Sequence, residues 1–129
     1  MKEFFETYIQ NQEDIEYFLQ ESLKNLGNLS NHKKNNFTQL YKIFPSLELV
    51  YIVNKDNKIQ NSSNFYRNKE DSCGKDKDRS HLISKLHFKD SNIAFSKPYI
   101  SSATRSNCVT VTIKEGEEIF FLDFQIDIL

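Results

Sequence analysis

Apolar residues at Phe5, Tyr8, Ile9, Ile15, Leu19, Leu23 and Leu26 fall on one stripe of a helix, and Gly27 follows where helices commonly end. The pattern predicts one long helix over 1–27. Positions 5, 12, 19 and 26 keep heptad register, with Gln12 the polar exception, so the stripe can pack on a sheet or on its own copy in a homodimer. A second helix over 30–44 is predicted from Phe37, Leu40, Tyr41 and Phe44, spaced i, i+3, i+4, i+7 and stopped by Pro45.

After Pro45 the period shortens. The run LELVYIV from Leu47 to Val53 reads as a mostly buried strand, NKDN as a tight turn, and Lys58 to Ser62 as its hairpin partner. Residues 61–79 contain few apolar groups, Phe65, Tyr66 and Cys73 among them, and read as a long irregular connection. Asp78 can cap a short helix that buries Leu82, Ile83 and Leu86. Three strands follow, near Ile93 to Ser101, Asn107 to Lys114 and Glu118 to Ile128, the last two joined by a turn at KEGE.

Alternation assigns faces to the last two strands. Phe120, Leu122, Phe124, Ile126 and Ile128 share one side with Val109, Val111 and Ile113, and the long helix offers a matching stripe. The opposite side collects Ile119 and Phe121 with Tyr99, Ser101, Thr110, Thr112, Asp123, Gln125 and Asp127. An antiparallel sheet can leave such a side bare to water. Roofed instead by the segment 61–88, it would form a small cavity with convergent hydrogen-bonding groups, the usual shape of a small-molecule site. The expectation is a single α+β domain spanning 1–129, with its sheet over 47–128.

Composition narrows the function. At 129 residues the chain is one domain in size, and eleven Phe and six Tyr supply more sticky side chain than a disordered tail carries. Seventeen basic against eighteen acidic residues leave a net charge of −1, which gives no field toward nucleic acid. KDKDR at 75–79 mixes both signs and reads as a solvated loop. The longest apolar run is too short to cross a bilayer, and the N-terminus lacks the basic and apolar regions of a signal peptide. As written the chain is expected in the cytoplasm, without direct membrane insertion, or as a soluble piece of something larger.

Candidate chemistry is sparse. Cys73 and Cys108 form no CxxC, and His32, His81 and His87 give no metal spacing, so neither a metal nor a cofactor is expected. GxSxG, HExxH, P-loop and dinucleotide fingerprints are all missing, which argues for a binding module over an enzyme. Asp123 and Asp127 lie on one strand face and read as ligand or solvent contacts. Arg79 stands out because it opens a predicted helix, where the dipole disfavours a cation. Its planar fork suits a carboxylate, either of a ligand or of a side chain such as Asp127.

The succession YIVNKDNKIQNSS, GKDKDRSHLI, SKPYISSATRSNCVTVTI and FLDFQIDIL resembles the Cache superfamily of PDC sensor domains over nearly the whole chain. The resemblance implies a PAS-like five-stranded antiparallel sheet, with a long N-terminal helix on one face and a ligand pocket under a loop and helix lid on the other. It implies that Arg79 meets a ligand carboxylate, that Tyr99 lines the pocket, and that Asp127 meets a ligand amine. His81 and Leu82 stand where the amino-acid-binding subset has aromatic residues, and His81 can instead offer a hydrogen bond. Two functions follow: a sensory domain that binds a small organic, carboxylate- or amine-bearing molecule, or a ligand-free dimerisation and interaction module. The site expected for the first is Arg79, His81, Tyr99, Ser101, Thr110, Asp123 and Asp127.

Overall fold

The computed structural model describes residues 33–86, 88, 92–97, 99–100, 105 and 107–125. Helix α1, Lys33–Ile43, is the second helix of the sequence reading. It leads into β1, Leu47–Asn54. Strands β2, Asn64–Tyr66, and β3, Glu70–Asp71, are followed by a 3-10 turn at Ser72–Gly74 and by the short helix α2, Ser80–Ile83. The remaining strands are β4, Ile93–Phe95; β5, Tyr99–Ile100; β6, Asn107–Glu115; and β7, Glu118–Gln125.

All pairings are antiparallel, and the sheet has seven strands in the order β3-β2-β1-β7-β6-β4, with β5 also on β6. At its centre β7 pairs with β1 on one side and β6 on the other, so Asp123 lies between Leu49 and Thr110. The turn joining β6 to β7 has Gly116 at φ +62°, the conformation a two-residue hairpin loop needs at its first central position.

The alternation read from the sequence sorts β6 and β7 correctly. Phe120, Leu122 and Phe124 are fully buried on the near face with Val109 and Val111, and burial of each large side chain contributes about 1.5–3 kcal/mol. Among the described residues it is α1 that covers this face, through Phe37, Leu40, Tyr41 and Phe44. The predicted helix over 1–27, with its homodimer stripe, lies outside the described residues.

Three findings correct the expected PAS-like α+β arrangement. Among the described residues the sheet has seven strands where five were expected. Helix among the described residues amounts to α1, with 11 residues, and α2, with 4. The far face carries a second packed apolar layer, Leu49, Tyr51, Val53, Ile119 and Phe121, where a pocket beneath a lid was expected.

The lid differs for a physical reason. Residues 64–71 form β2, which pairs with β1, and β3, which pairs with β2, so they extend the sheet instead of crossing it. Tyr66 of β2 packs on the far layer from within the sheet, and Ile83, Leu86 and Phe88 pack on it from α2 onward. The hairpin partner expected at 58–62 forms single bridges, Val53 with Gln60 and Ile59 with Asp78, and regular pairing with β1 resumes at Phe65. Between them the Ser62 hydroxyl accepts from Ile52 N at 2.9 Å, a side chain standing in for a strand carbonyl.

Candidate functional site

Asp123 is the centre of the polar chemistry on the far face. Its strand position is fixed by the apolar residues on either side of it, Leu122 and Phe124, which face α1, so the carboxylate must point the other way. There it is 7% exposed. Thr110, opposite on β6, donates to Asp123 Oδ1 at 2.8 Å, and the Tyr99 hydroxyl lies 2.5 Å from Thr110 Oγ1. A hydrogen-bonded chain therefore runs from an edge strand to the middle of the sheet.

The Asp123 carboxyl is pushed up to about 6, chiefly by burial and to a smaller extent by the carboxylate Glu48. Hydrogen bonds from Thr110 and Tyr99 and the charge of Arg79 act in the opposite direction. Tyr99 and Tyr51 are both held above the ordinary phenol value, first by burial and then by the charge of Asp123. Both phenols therefore serve as neutral hydrogen-bonding or packing groups at physiological pH.

Arg79 stands at the N-cap of α2, with the backbone at φ −110° and ψ 14°. Asp78, expected to cap this helix, stands one residue before the N-cap: its Oδ1 accepts from Ser80 N at 2.8 Å and Ser80 Oγ at 2.5 Å, while the N-cap residue itself makes no side-chain cap. The Arg79 fork does not meet a carboxylate among the described residues. Nε and Nη2 both donate to Gln60 Oε1, at 3.1 and 2.6 Å. Its guanidinium carbon lies 4.8 Å from the centroid of Tyr51, whose ring stacks on Phe121 at 4.9 Å. Arg79 thus belongs to the far face, and an amide takes the role expected of an acid.

Gln60 is the residue that sequence reasoning missed. It is fully buried, and its Nε2 donates to Ser62 O and Asn64 Oδ1, both at 2.8 Å. The backbone of 75–79 folds back around it: Gln60 N donates to Lys77 O and Asp76 N to Gln60 O, each at 2.8 Å. A polar residue beyond the end of an apolar strand gives no signal that it will be enclosed, because the enclosing segment lies fifteen or more residues further on.

The remaining expectations divide. Thr110 is 8% exposed and joins Asp123, and Tyr99 joins both at 37% exposure. His81 is exposed on α2 and is not part of this cluster. Ser101 and Asp127 lie outside the described residues, so the expected Arg79 to Asp127 pair does too. Thr112, fully buried, donates to Ala94 O at 3.1 Å and serves the sheet.

Elsewhere, a shallow cleft of about 170 Å³ opens between α1 and the β2–β3 hairpin, lined by Phe37, Tyr41, Phe65 and Arg67 among others. Among the described residues no group of three His, Cys, Asp or Glu side chains is arranged to hold a metal. Cys73 is exposed and Cys108 buried, both as free thiols. No helix among the described residues is long and apolar enough to cross a membrane.

No protein-family model matches the chain. No curated protein matches it either. In three dimensions it is similar to part of the Bacillus subtilis YkuI protein, which has an EAL domain and was solved in complex with its substrate c-di-GMP and calcium. That likeness has a TM-score of 0.62 at 15% identity and covers 95% of this chain. The chain spans 33% of the length of the Bacillus protein, and what the two have in common is a fold.

Proposed function

We propose that this chain is a ligand-binding sensory domain of a signal-transduction protein, and that it recognises a small organic molecule on the far face of the sheet. Asp123 and Thr110 would meet an amine or other donor, Arg79 would meet a carboxylate or other acceptor, and Tyr99 would line the approach. The observation that carries this reading is the buried carboxylate in the central strand. A carboxylate there costs several kcal/mol in desolvation that an apolar residue would avoid, by order of magnitude. Strongly perturbed acids with a specific polar chain are enriched at functional sites. Likeness in fold to one third of a larger protein with an EAL domain supports a modular role, in which such a domain shares a chain with one acting on c-di-GMP. On this reading the chain binds and does not catalyse.

Calorimetric or thermal-shift titration with amines, short carboxylic acids and molecules bearing both groups tests the proposal. A ligand at about 100 times its Kd should stabilise the domain by about 2.7 kcal/mol, and Asp123→Asn should abolish that gain while the protein stays folded. Failure of the whole panel, or gains that survive Asp123→Asn and Arg79→Ala, would reject the site.

A second reading is a ligand-free interaction module. Its support is that every buried side-chain nitrogen and oxygen among the described residues has a partner, and that the Arg79 fork is engaged by Gln60. Under it, Arg79→Ala and Asp123→Asn would change stability alone.

A further inference from the structure

Residues 72–79 lead into α2 as a strap with almost no apolar anchorage. Ser72, Cys73, Lys75, Asp76, Lys77 and Asp78 are exposed, and within the strap only Gly74 is buried. Backbone hydrogen bonds tie it down: Gln60 N donates to Lys77 O and Asp76 N to Gln60 O, each at 2.8 Å, and Arg79 N donates to Lys58 O at 2.7 Å. Both sides of this tie carry a non-glycine residue in the left-handed region, Lys58 at φ +62° and Asp76 at φ +71°. A polar, strained and exposed segment of this kind belongs to the low-stability end of a fold.

The strap's remaining anchor is a side chain with two attachments. Arg79 places one edge of its guanidinium, Nε and Nη2, on Gln60 Oε1. The same group lies over Tyr51 of the far layer, and its charge reaches Asp123. Nη1 donates to no group among the described residues. No buried side-chain nitrogen among those residues lacks a partner, so Nη1 faces open space. The inner edge is thus spent on the strap's hub, and the outer edge, Nη1 with the second hydrogen of Nη2, can still take an acceptor.

Gln60 makes the inner edge stiff. Its Nε2 donates to Ser62 O and Asn64 Oδ1, so the amide cannot turn over without breaking both bonds and setting its own donor against the guanidinium.

We infer that Arg79 and Gln60 couple the far face to the strap 72–79: with the strap closed the guanidinium is aimed at the far face, an acceptor on its outer edge holds the strap shut, and opening of the strap withdraws the cation. The acceptor half rests on the function proposed above; the strap half does not. Linkage makes the coupling reciprocal, so a contact that holds the strap shut from outside strengthens binding of the acceptor by the same factor.

Native-state amide exchange of the full chain tests the strap half. The Gln60 and Asp76 amides should exchange at least about tenfold faster than those of β6 and β7 and should ignore low urea, as a local opening does. Arg79→Lys, which keeps the cation and loses the fork, should speed them by about tenfold more. Acetate tests the acceptor half, with its binding read from the Arg79 Nε–H signal by NMR. At about ten times its Kd it should slow exchange of the two amides by about tenfold, because the closed form alone binds it. Strap amides that open only together with β6 and β7, or that keep their rates in Arg79→Lys, would overturn the strap half. Acetate that shifts the Arg79 signal while strap exchange stays unchanged would overturn the coupling. An Arg79 signal indifferent to acetate would reject the acceptor reading and leave the strap standing on its own.

Discussion

The guanidinium of Arg67 lies 4.9 Å from the centroid of the Tyr41 ring while its Nη1 donates to the Tyr41 carbonyl at 2.7 Å. Its Nη2 reaches the carbonyls of Phe44, Pro45 and Leu47 at 3.3, 2.9 and 3.0 Å. One side chain from the β2–β3 hairpin thus donates to carbonyls at the end of α1, in the following turn and at the start of β1. The Tyr41 hydroxyl returns the contact by donating to Phe65 O in β2.

Arg67→Ala should therefore lower unfolding free energy by about 1–3 kcal/mol, read from urea denaturation. Arg67→Lys should recover less than half of the loss, because an ammonium has no planar fork to spread over several carbonyls. Full recovery by lysine would mean that charge at the helix C-terminus, and not the fork, supplies the stabilisation.

Stability should fall as pH rises through about 6. Asp123 is raised in the folded state from 3.8, so its contribution is fully present below about pH 4 and is lost as the buried carboxyl ionises near 6. The size of the effect is about 2–3 kcal/mol at most. Asp123→Asn should flatten this part of the profile and make the protein more stable at pH 7, as measured by thermal unfolding across pH. An unchanged profile would show that another group sets it.

Arg79→Ala should cost about 1–3 kcal/mol, because it leaves the enclosed Gln60 Oε1 without its donor. Replacing both partners, Gln60→Leu with Arg79→Met, should cost less than the sum of the single changes, which a double-mutant cycle measures. Simple additivity would show that the two side chains do not depend on each other.

The two described glycines with structural roles should fail differently. At Gly74 a Cβ would sit 2.5 Å from Asn64 Oδ1 and 2.7 Å from Gln60 Nε2, so Gly74→Ala should disrupt the Gln60 enclosure and cost about 1–3 kcal/mol. At Gly116 a Cβ meets nothing within 4 Å, but φ is +62°. Gly116→Ala should cost about 1 kcal/mol through backbone strain, and Gly116→Asn less, since asparagine tolerates that region. Chemical denaturation of the three variants checks the order.

Much of the sheet centre was legible in the sequence. In β6 and β7 strict alternation separates Val109, Val111, Phe120, Leu122 and Phe124 from Thr110 and Asp123, and burial follows that division. Helix α1 was legible too, because Phe37, Leu40, Tyr41 and Phe44 mark one face and Pro45 stops it. The hairpin β2–β3 was not. Strands of three and two residues carry no measurable alternation, and their pairing is set by β1 and by the Arg67 contact.

The site was half legible. Residue type and strand parity brought Thr110 and Asp123 to one face and Tyr99 to their side. The partner of Arg79 was not deducible, since Gln60 becomes enclosed only when the backbone of 75–79 wraps it. The far face was expected to carry Ile119 and Phe121 among its polar groups, under a polar roof. It is apolar around its polar centre because β1 contributes Leu49, Tyr51 and Val53 there, beside Ile119 and Phe121.

Both rims of the sheet end in fragments: β3 offers two residues on one side, and on the other Ser96 divides the border into β4, with three, and β5, with two. Among the described residues neither border offers a neighbouring chain a strand longer than three residues to template on, and at β3 it would also meet Glu70 and Asp71. Copies of this domain that meet one another should therefore join through side-chain surfaces, and concentrated solutions should resist fibre growth seeded at either border.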